Sequence, residues 1–432
     1  MIVLLLLLIF LLWCYRNSNM LVKYLILLHI ISVGIGPFIG YHMDVDSFAD
    51  LCWIIYIFAQ ILLITSAFSK IDKNITIFGD ARVIVKKYKY ILIFFLVMFI
   101  STLPILFVLS RLNIDIQDFK YNNGFQHFID SGILPIPKKV FVIITLFVDV
   151  YLYFLPLHFF FLFKKNYKYS FLWLLASLTY VLEGLTFFSR AQQVQFMLVY
   201  LATFFMFYKV MPSNVKKYIR YLPFILIIVF FIRMLSISEN RFSGGEIDFE
   251  SNTEVNYGKY EYIKDDVTLS YLDYAAQGYY NGYYLSKRYD GDTWHGQTTF
   301  QTLLTMLDQY LGIPFSTQKY QMEREKLWPR PYNVMFTGYS TYVLYDFGLI
   351  LSFIISFFFY YVVRKIGMVS SKQGFLTLEQ AILLTALLLI PTGSIFFSNL
   401  SSYTIGFIIL EIMWRINFKR SFFKNILKAK TT

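Results

Sequence analysis

The stretch Leu51–Ser69, LCWIIYIFAQILLITSAFS, is followed by the basic connector Lys70–Lys89, KIDKNITIFGDARVIVKKYK, and then by Tyr90–Ser110, YILIFFLVMFISTLPILFVLS. Each apolar stretch holds about twenty residues without a charge, the length a helix needs to cross ~30 Å of hydrocarbon. In lipid the backbone has no water to bond to, so each stretch must satisfy its polar groups internally, as a helix. The connector concentrates Lys70, Lys73, Arg82, Lys86, Lys87 and Lys89. An apolar span, a short basic connector and a second span together describe a membrane hairpin with its connector in the cytoplasm.

The same alternation runs through the rest of the chain. Spans are expected at roughly 1–15, 20–40, 51–69, 90–110, 139–163, 169–188, 193–211, 221–237, 341–363, 376–397 and 400–417, an all-α polytopic membrane protein of about eleven helices. Only 15% of residues are charged, against roughly a quarter in a soluble domain, so the length is consumed by spans rather than by soluble domains. The apolar start Met1–Tyr15 lacks a basic leader and a small-residue cleavage site, and reads as a retained helix. Cys14 and Cys52 each lie inside an apolar run, which argues against a disulfide framework. The net charge of +12 does not imply nucleic acid, because the basic residues cluster in short connectors.

Orientation follows from that clustering. The connectors with Lys164, Lys165 and Lys168, with Lys216, Lys217 and Arg220, and with Arg364, Lys365 and Lys372 fall on the side of Lys70–Lys89. Residues 1–236 are then an N-terminal set of about eight spans, 237–340 a large periplasmic loop, 341–417 about three further spans, and 418–432 a basic cytoplasmic tail. The N-terminus is expected outside. The large loop carries 9 Lys and Arg against 14 Asp and Glu, so it is acidic in an otherwise basic chain. Within it Phe300, Leu303, Leu304, Leu307, Tyr310 and Leu311 repeat at helical spacing, and that amphipathic helix is expected on the membrane surface. A tyrosine-rich patch around Tyr271–Tyr289 precedes it, which Gly278, Gly282, Gly291 and Gly296 are expected to break into turns or short helices.

No phosphate-binding glycine loop, H-E-x-x-H or C-x-x-C is present. An enzyme of this shape would work outside, where ATP and nucleotide-sugars are absent, on a substrate that arrives already activated. A lipid pyrophosphate is the obvious form, and its departure needs outer-face cations. Arginine grips phosphate oxygens through a planar fork and stays charged. Candidates are Arg190 in a tight turn between two spans, Arg233 near a span end, Arg241 just beyond it, and Arg288 and Arg330 in the large loop. The competing role for each is a topological anchor. Glu183, two turns before Arg190 on the same face, either pairs with an outer arginine, acts as a base or is a hydrogen-bonded carboxylate. Asp149 resembles it. His295 is the one histidine of the large loop and a candidate general base. Tyr279 and Tyr283 would stack sugar rings or belong to an interfacial belt. Asp44-Val45-Asp46 and Asp290-Gly291-Asp292 resemble metal-binding pairs only as a pattern common by chance, and no metal or other cofactor is expected. Glu411 and Arg415 are spaced for a structural pair.

Three short stretches carry a family resemblance. Arg330-Pro331-Tyr332-Asn333-Val334, running on to Tyr345-Asp346-Phe347-Gly348-Leu349-Ile350, resembles the passage from large loop into the next span in the bacterial O-antigen polymerase (Wzy) family. Ser189–Gln192 (SRAQ) is similar to that family's arginine-bearing outer turn, and Gly296–Phe300 (GQTTF) to its Gly-x-Thr-Phe element. The resemblance implies a GT-C-like fold in the bacterial inner membrane and a periplasmic active site. It implies transfer of a growing glycan from undecaprenyl pyrophosphate onto the next lipid-linked repeat unit. Expected partners are those lipid-linked oligosaccharides, the surrounding membrane lipids and, as a candidate, a chain-length regulator protein. The rival readings are an O-antigen ligase, a metal-dependent GT-C transferase using Asp44 and Asp46, and a flippase for the same lipids. Against a flippase stand the absence of a visible internal repeat and the length of the outer loop.

Overall fold

The computed structural model describes residues 2–41, 43–109, 111, 135–187, 189, 191–216, 266–311, 326–328, 336–394 and 401–418. The expected span at 221–237 lies outside them. Among the described residues the architecture is helical, apart from one two-residue strand pair. Five helices are long and apolar enough to cross a membrane, or six if a pair bent by 53° counts as one span. The chain divides into two compact units, the first Met1–Ile71, Glu246–Gly367 and Leu389–Ile405, the second Asp72–Gly245, Met368–Leu388 and Gly406–Thr432.

The first unit opens with α1 (Ile2–Cys14), α2 (Met20–Ile35) with a 3-10 turn over Gly36–Ile39, and α3 (Phe48–Ser66). Local chemistry sets their starts. Asn19 caps α2 by accepting the Val22 N–H at 2.9 Å. Ser47 and Asp50 form a reciprocal capping box at α3. The Asn19 amide also donates to the carbonyls of Phe68 and Ile71 at 2.9 and 2.8 Å, which holds the α1–α2 connector against the segment that follows α3.

Onto α2 and α3 packs α10 (Asp266–Lys287), a helix of the large loop. It runs unbroken through Gly278 and Gly282, contrary to the expectation that these glycines interrupt it. Gly282 serves close approach instead. A Cβ at Gly282 would collide with the Thr337 carbonyl and lie 2.6 Å from Thr341 Oγ1, at the start of α12 (Gly338–Gln373). After α10 the chain makes two real turns, at Gly291 and Gly296, both at positive φ. It then enters α11 (Gln297–Leu311), the amphipathic helix expected from spacing. The helix α12 is interrupted at Gly348, whose φ of 78° is left-handed, so the expected span at 341–363 is two helical segments.

The second unit contains β1 (Thr76–Ile77), α4 (Ala81–Leu109), and the segmented run α5 (Lys138–Leu146), α6 (Val148–Tyr153) and α7 (Leu155–Phe163). After these come α8 (Tyr167–Thr186), α9 (Ala191–Phe207), β2 (Phe375–Leu376), α13 (Leu378–Gly393, its last residues in the first unit) and α14 (Ser401–Phe418, likewise divided). One expected span at 139–163 is thus three pieces. Pro156 accounts for the break before α7, because it has no N–H and its ring crowds the preceding turn. The helix α8 packs against α4, α6, α7 and α9. That enclosure explains how it carries buried Ser170, Ser177, Thr179 and Glu183 and falls short of the five in apolarity. Parallel pairing of Thr76 with Phe375 and Ile77 with Leu376, and the Lys87–Glu379 ion pair at 2.7 Å, tie the connector after α3 to the one after α12.

Candidate functional site

In the first unit the tyrosine patch forms one face of α10. The Tyr279 hydroxyl bonds His29 Nδ1 of α2 and lies 3.4 Å from Ser394 Oγ. Tyr280 donates to the Val33 carbonyl at 2.8 Å, and Tyr283 to the Asp44 carbonyl at 2.6 Å. Tyr41 returns a bond to Asp273 at 2.6 Å, and Lys287 pairs with Asp50 at 2.9 Å. Burial raises the phenols of Tyr279 and Tyr280 well above their ordinary range, so they keep their protons as donors. The hydrogen bond to Asp50 raises the Lys287 ammonium above ordinary lysine. Tyr279 and Tyr283 are each 3% exposed, so their ring faces meet protein rather than a sugar. They dock the loop onto the membrane helices. Among the described side chains of the patch Tyr284 is the exposed tyrosine, and the guanidinium of Arg288 lies 4.2 Å from its ring centroid and bonds its hydroxyl.

Beyond Arg288 the loop closes on Asp346. This fully buried carboxylate accepts the N–H groups of Thr298 and Thr299 at 3.1 and 3.0 Å, and the Thr299 hydroxyl at 2.5 Å. It occupies the N-terminus of α11, where backbone donors and the helix dipole favour an anion. In return Trp294 and Gly296 donate their N–H groups to the carbonyls of Tyr345 and Asp346, at 2.7 and 2.9 Å. Those carbonyls are released by the break at Gly348. Trp328 packs edge-on against Trp294, Tyr342 and Tyr345 beneath the junction, and Trp294 lies tilted against Tyr345. Thus Gly296–Phe300 and Tyr345–Gly348, some 50 positions apart, form one structure. His295 stands on its exposed side in the left-handed region at φ 54°, with Nδ1 3.0 Å from Thr293 Oγ1. Its placement fits a solvent-facing acid or base.

In the second unit Glu183 is 4% exposed and accepts the Gln192 amide at 2.5 Å. Gln192 reaches it by crossing Gly184, where a Cβ would lie 2.5 Å from Gln192 Oε1. Ser189 donates its N–H to the Gly184 carbonyl at 2.8 Å and accepts from the Gln193 amide at 3.3 Å. The residues on both sides of position 190 are therefore pinned to the end of α8. Asp149, also buried, lies close enough to interact electrostatically with Glu183.

Arg190, Arg233, Arg241, Arg330 and Asn333 lie outside the described residues. Of the acidic pairs, the Asp44 carbonyl receives Tyr283 and the Asp46 N–H goes to Asp50, while Asp290 accepts the Asp292 N–H. Among the described residues no three His, Cys, Asp or Glu side chains form a group that could hold a metal ion.

Asp346, His29 and Gln192 were missed as site residues. The first two had a readable signal, a polar ionisable side chain inside an apolar run. Gln192 had none, because its partner is set by how α8 and α9 meet. Comparison of the chain with protein-family models, with curated proteins and with solved structures finds no match.

Proposed function

We propose that this chain is a glycosyltransferase that joins undecaprenyl-pyrophosphate-linked oligosaccharide repeat units into a surface polysaccharide, on the periplasmic face of a bacterial inner membrane. On this reading its helices, with 221–237, make about eleven crossings in a GT-C-like bundle. The acceptor sugar hydroxyl attacks the anomeric carbon of the donor glycan, the new glycosidic bond forms as the bond to undecaprenyl pyrophosphate breaks, and the hydroxyl proton passes to a base. Arg190 and Arg241 stabilise charge developing on the leaving pyrophosphate. Glu183 acts through Gln192 as a positioning residue for the turn carrying Arg190. Arg288 and Tyr284 offer a cation and an aromatic face to the glycan, with His295 a candidate base.

The observation that supports this reading is the junction at Asp346. Gly296–Phe300 and Tyr345–Gly348, parts of two of the three stretches that resemble the polymerase family, meet there as one folded junction rather than as independent segments. Within the third, Ser189 and Gln192 are each hydrogen-bonded to the end of α8.

The test is a gel ladder of surface polysaccharide in a polymerase-null strain at matched membrane abundance. Alanine at Arg190 or Arg241 should remove long polymer and leave single repeats, a loss of about 3–4 kcal/mol or a hundredfold to a thousandfold in rate. Lysine should rescue in part, keeping charge without the fork. A chelator should leave polymerisation intact in isolated membranes. Normal ladders from both alanine variants would sink the proposal. Full-length polymer retained on the lipid carrier would point to the ligase instead.

A further inference from the structure

A groove in the second unit is built like a seat for a lipid. Its walls are Tyr90, Ile91 and Phe94 of α4 and Met413 and Ile416 of α14, and Phe147, at the break between α5 and α6, closes one end. The Phe94 and Phe147 rings meet edge-on at 5.1 Å. The space between is about 500 Å³, including its open side. Asn417 stands at the other end with its amide donated to the Met413 carbonyl at 2.7 Å, leaving the walls apolar.

Among the described residues charge collects at that end. One turn before Tyr90 on the same helix face is Lys86, and Lys89 lies three residues from Lys86, so the two side chains leave the helix as neighbours. Both are exposed, and among the described residues neither has an acidic partner. Lys89 stands 6.0 Å from the Tyr90 ring centroid. The other nearby charges cancel, Lys87 with Glu379 at 2.7 Å and Arg415 with Glu411 at 2.9 Å. Two uncompensated cations head an apolar slot that runs eight residues, roughly 12 Å of helix, from Lys86 to Phe94. A phosphate with a hydrocarbon chain attached matches both ends, and a net positive rim selects an anionic headgroup over a zwitterionic one.

We infer that this groove binds one anionic phospholipid, its phosphate between Lys86 and Lys89 and one acyl chain along Tyr90, Ile91 and Phe94. The site is independent of the proposed glycosyl transfer and uses none of its residues.

The experiment is native mass spectrometry of the purified full-length chain, delipidated and titrated with phosphatidylglycerol or phosphatidylcholine of identical chains. The wild type should retain phosphatidylglycerol at least fivefold more than phosphatidylcholine. The double variant Lys86→Gln/Lys89→Gln, at two exposed positions, should lose that preference and leave the polysaccharide ladder unchanged. Ile91→Trp, which fills the slot, should reduce retention of both lipids. Equal retention of the two lipids by the wild type would overturn the site, as would an undiminished preference in the double variant. Undecaprenyl phosphate displacing phosphatidylglycerol at equimolar concentration would overturn the identity of the occupant.

Discussion

Asp346 illustrates how a single side chain organises this molecule. Its two oxygens serve two backbone N–H groups and one hydroxyl at a fully buried site. Replacement by alanine leaves buried donors unpaired, at a cost of about 1–3 kcal/mol. Asparagine keeps one acceptor oxygen and should recover part of that. Thermal unfolding in detergent together with limited proteolysis should show Asp346→Ala melting earlier and being cut within or beside α11, with Asp346→Asn between it and wild type. Unchanged melting and protease resistance in the alanine variant would mean the cap is incidental. The acid was visible in the sequence as an anomaly within an apolar run. Its partner was not, because 48 residues separate it from Thr298 and no periodicity links them.

Among the elements, α10 has the most to lose from small changes. Its seat on α2 and α3 depends on tyrosine hydroxyls, while its crossing with α12 depends on the missing side chain at Gly282. Gly282→Ala forces the backbones apart and should cost about 1–3 kcal/mol as overpacking, read as an earlier melting midpoint. Lys287→Met should lower the melting midpoint, since it takes the cation from Asp50, a carboxylate 4% exposed that keeps only the N–H groups of Asp46 and Ser47. The Lys287 pKa is raised in the folded state, so its contribution is full below the ordinary lysine pKa of about 10.5 and fades only as pH climbs past the folded value. The midpoint difference between Lys287→Met and wild type should therefore be constant from pH 6 to 9, at roughly the limits where both lysine states are charged. A melting midpoint for Gly282→Ala equal to wild type would disprove the close crossing.

At the scale of the whole molecule, contacts sort the connectors by end. In the first unit Asn19 meets Phe68 and Ile71 at one end, while Tyr41–Asp50 meets α10 and Ser401 meets Thr302 at the other. In the second, β1 meets β2 and Lys87 meets Glu379. On the proposed topology the basic connectors face the cytoplasm. Reporter fusions after Asp248 and after Lys428 give it an absolute sense. The first should be active only with a periplasm-dependent reporter and the second only with a cytoplasm-dependent one. The reverse pattern would invert the topology and remove the arginines from the proposed chemistry.

The sequence by itself determined that the chain is helical and rich in membrane-length helices, and which connectors are basic. Length, apolarity and charge are properties of contiguous residues, and the bilayer reads them one segment at a time. It also determined α11, because a repeat of Phe300, Leu303, Leu304 and Leu307 is local. Only the tertiary structure decided that Tyr279 and Tyr283 are enclosed, that Gly278 and Gly282 lie within a helix rather than break it, and that Glu183 holds Gln192. Each of those outcomes turns on a partner brought close by packing. An aromatic ring serves a sugar or a neighbouring helix equally well, and a glycine permits a turn or a close crossing equally well, until the facing backbone is in place.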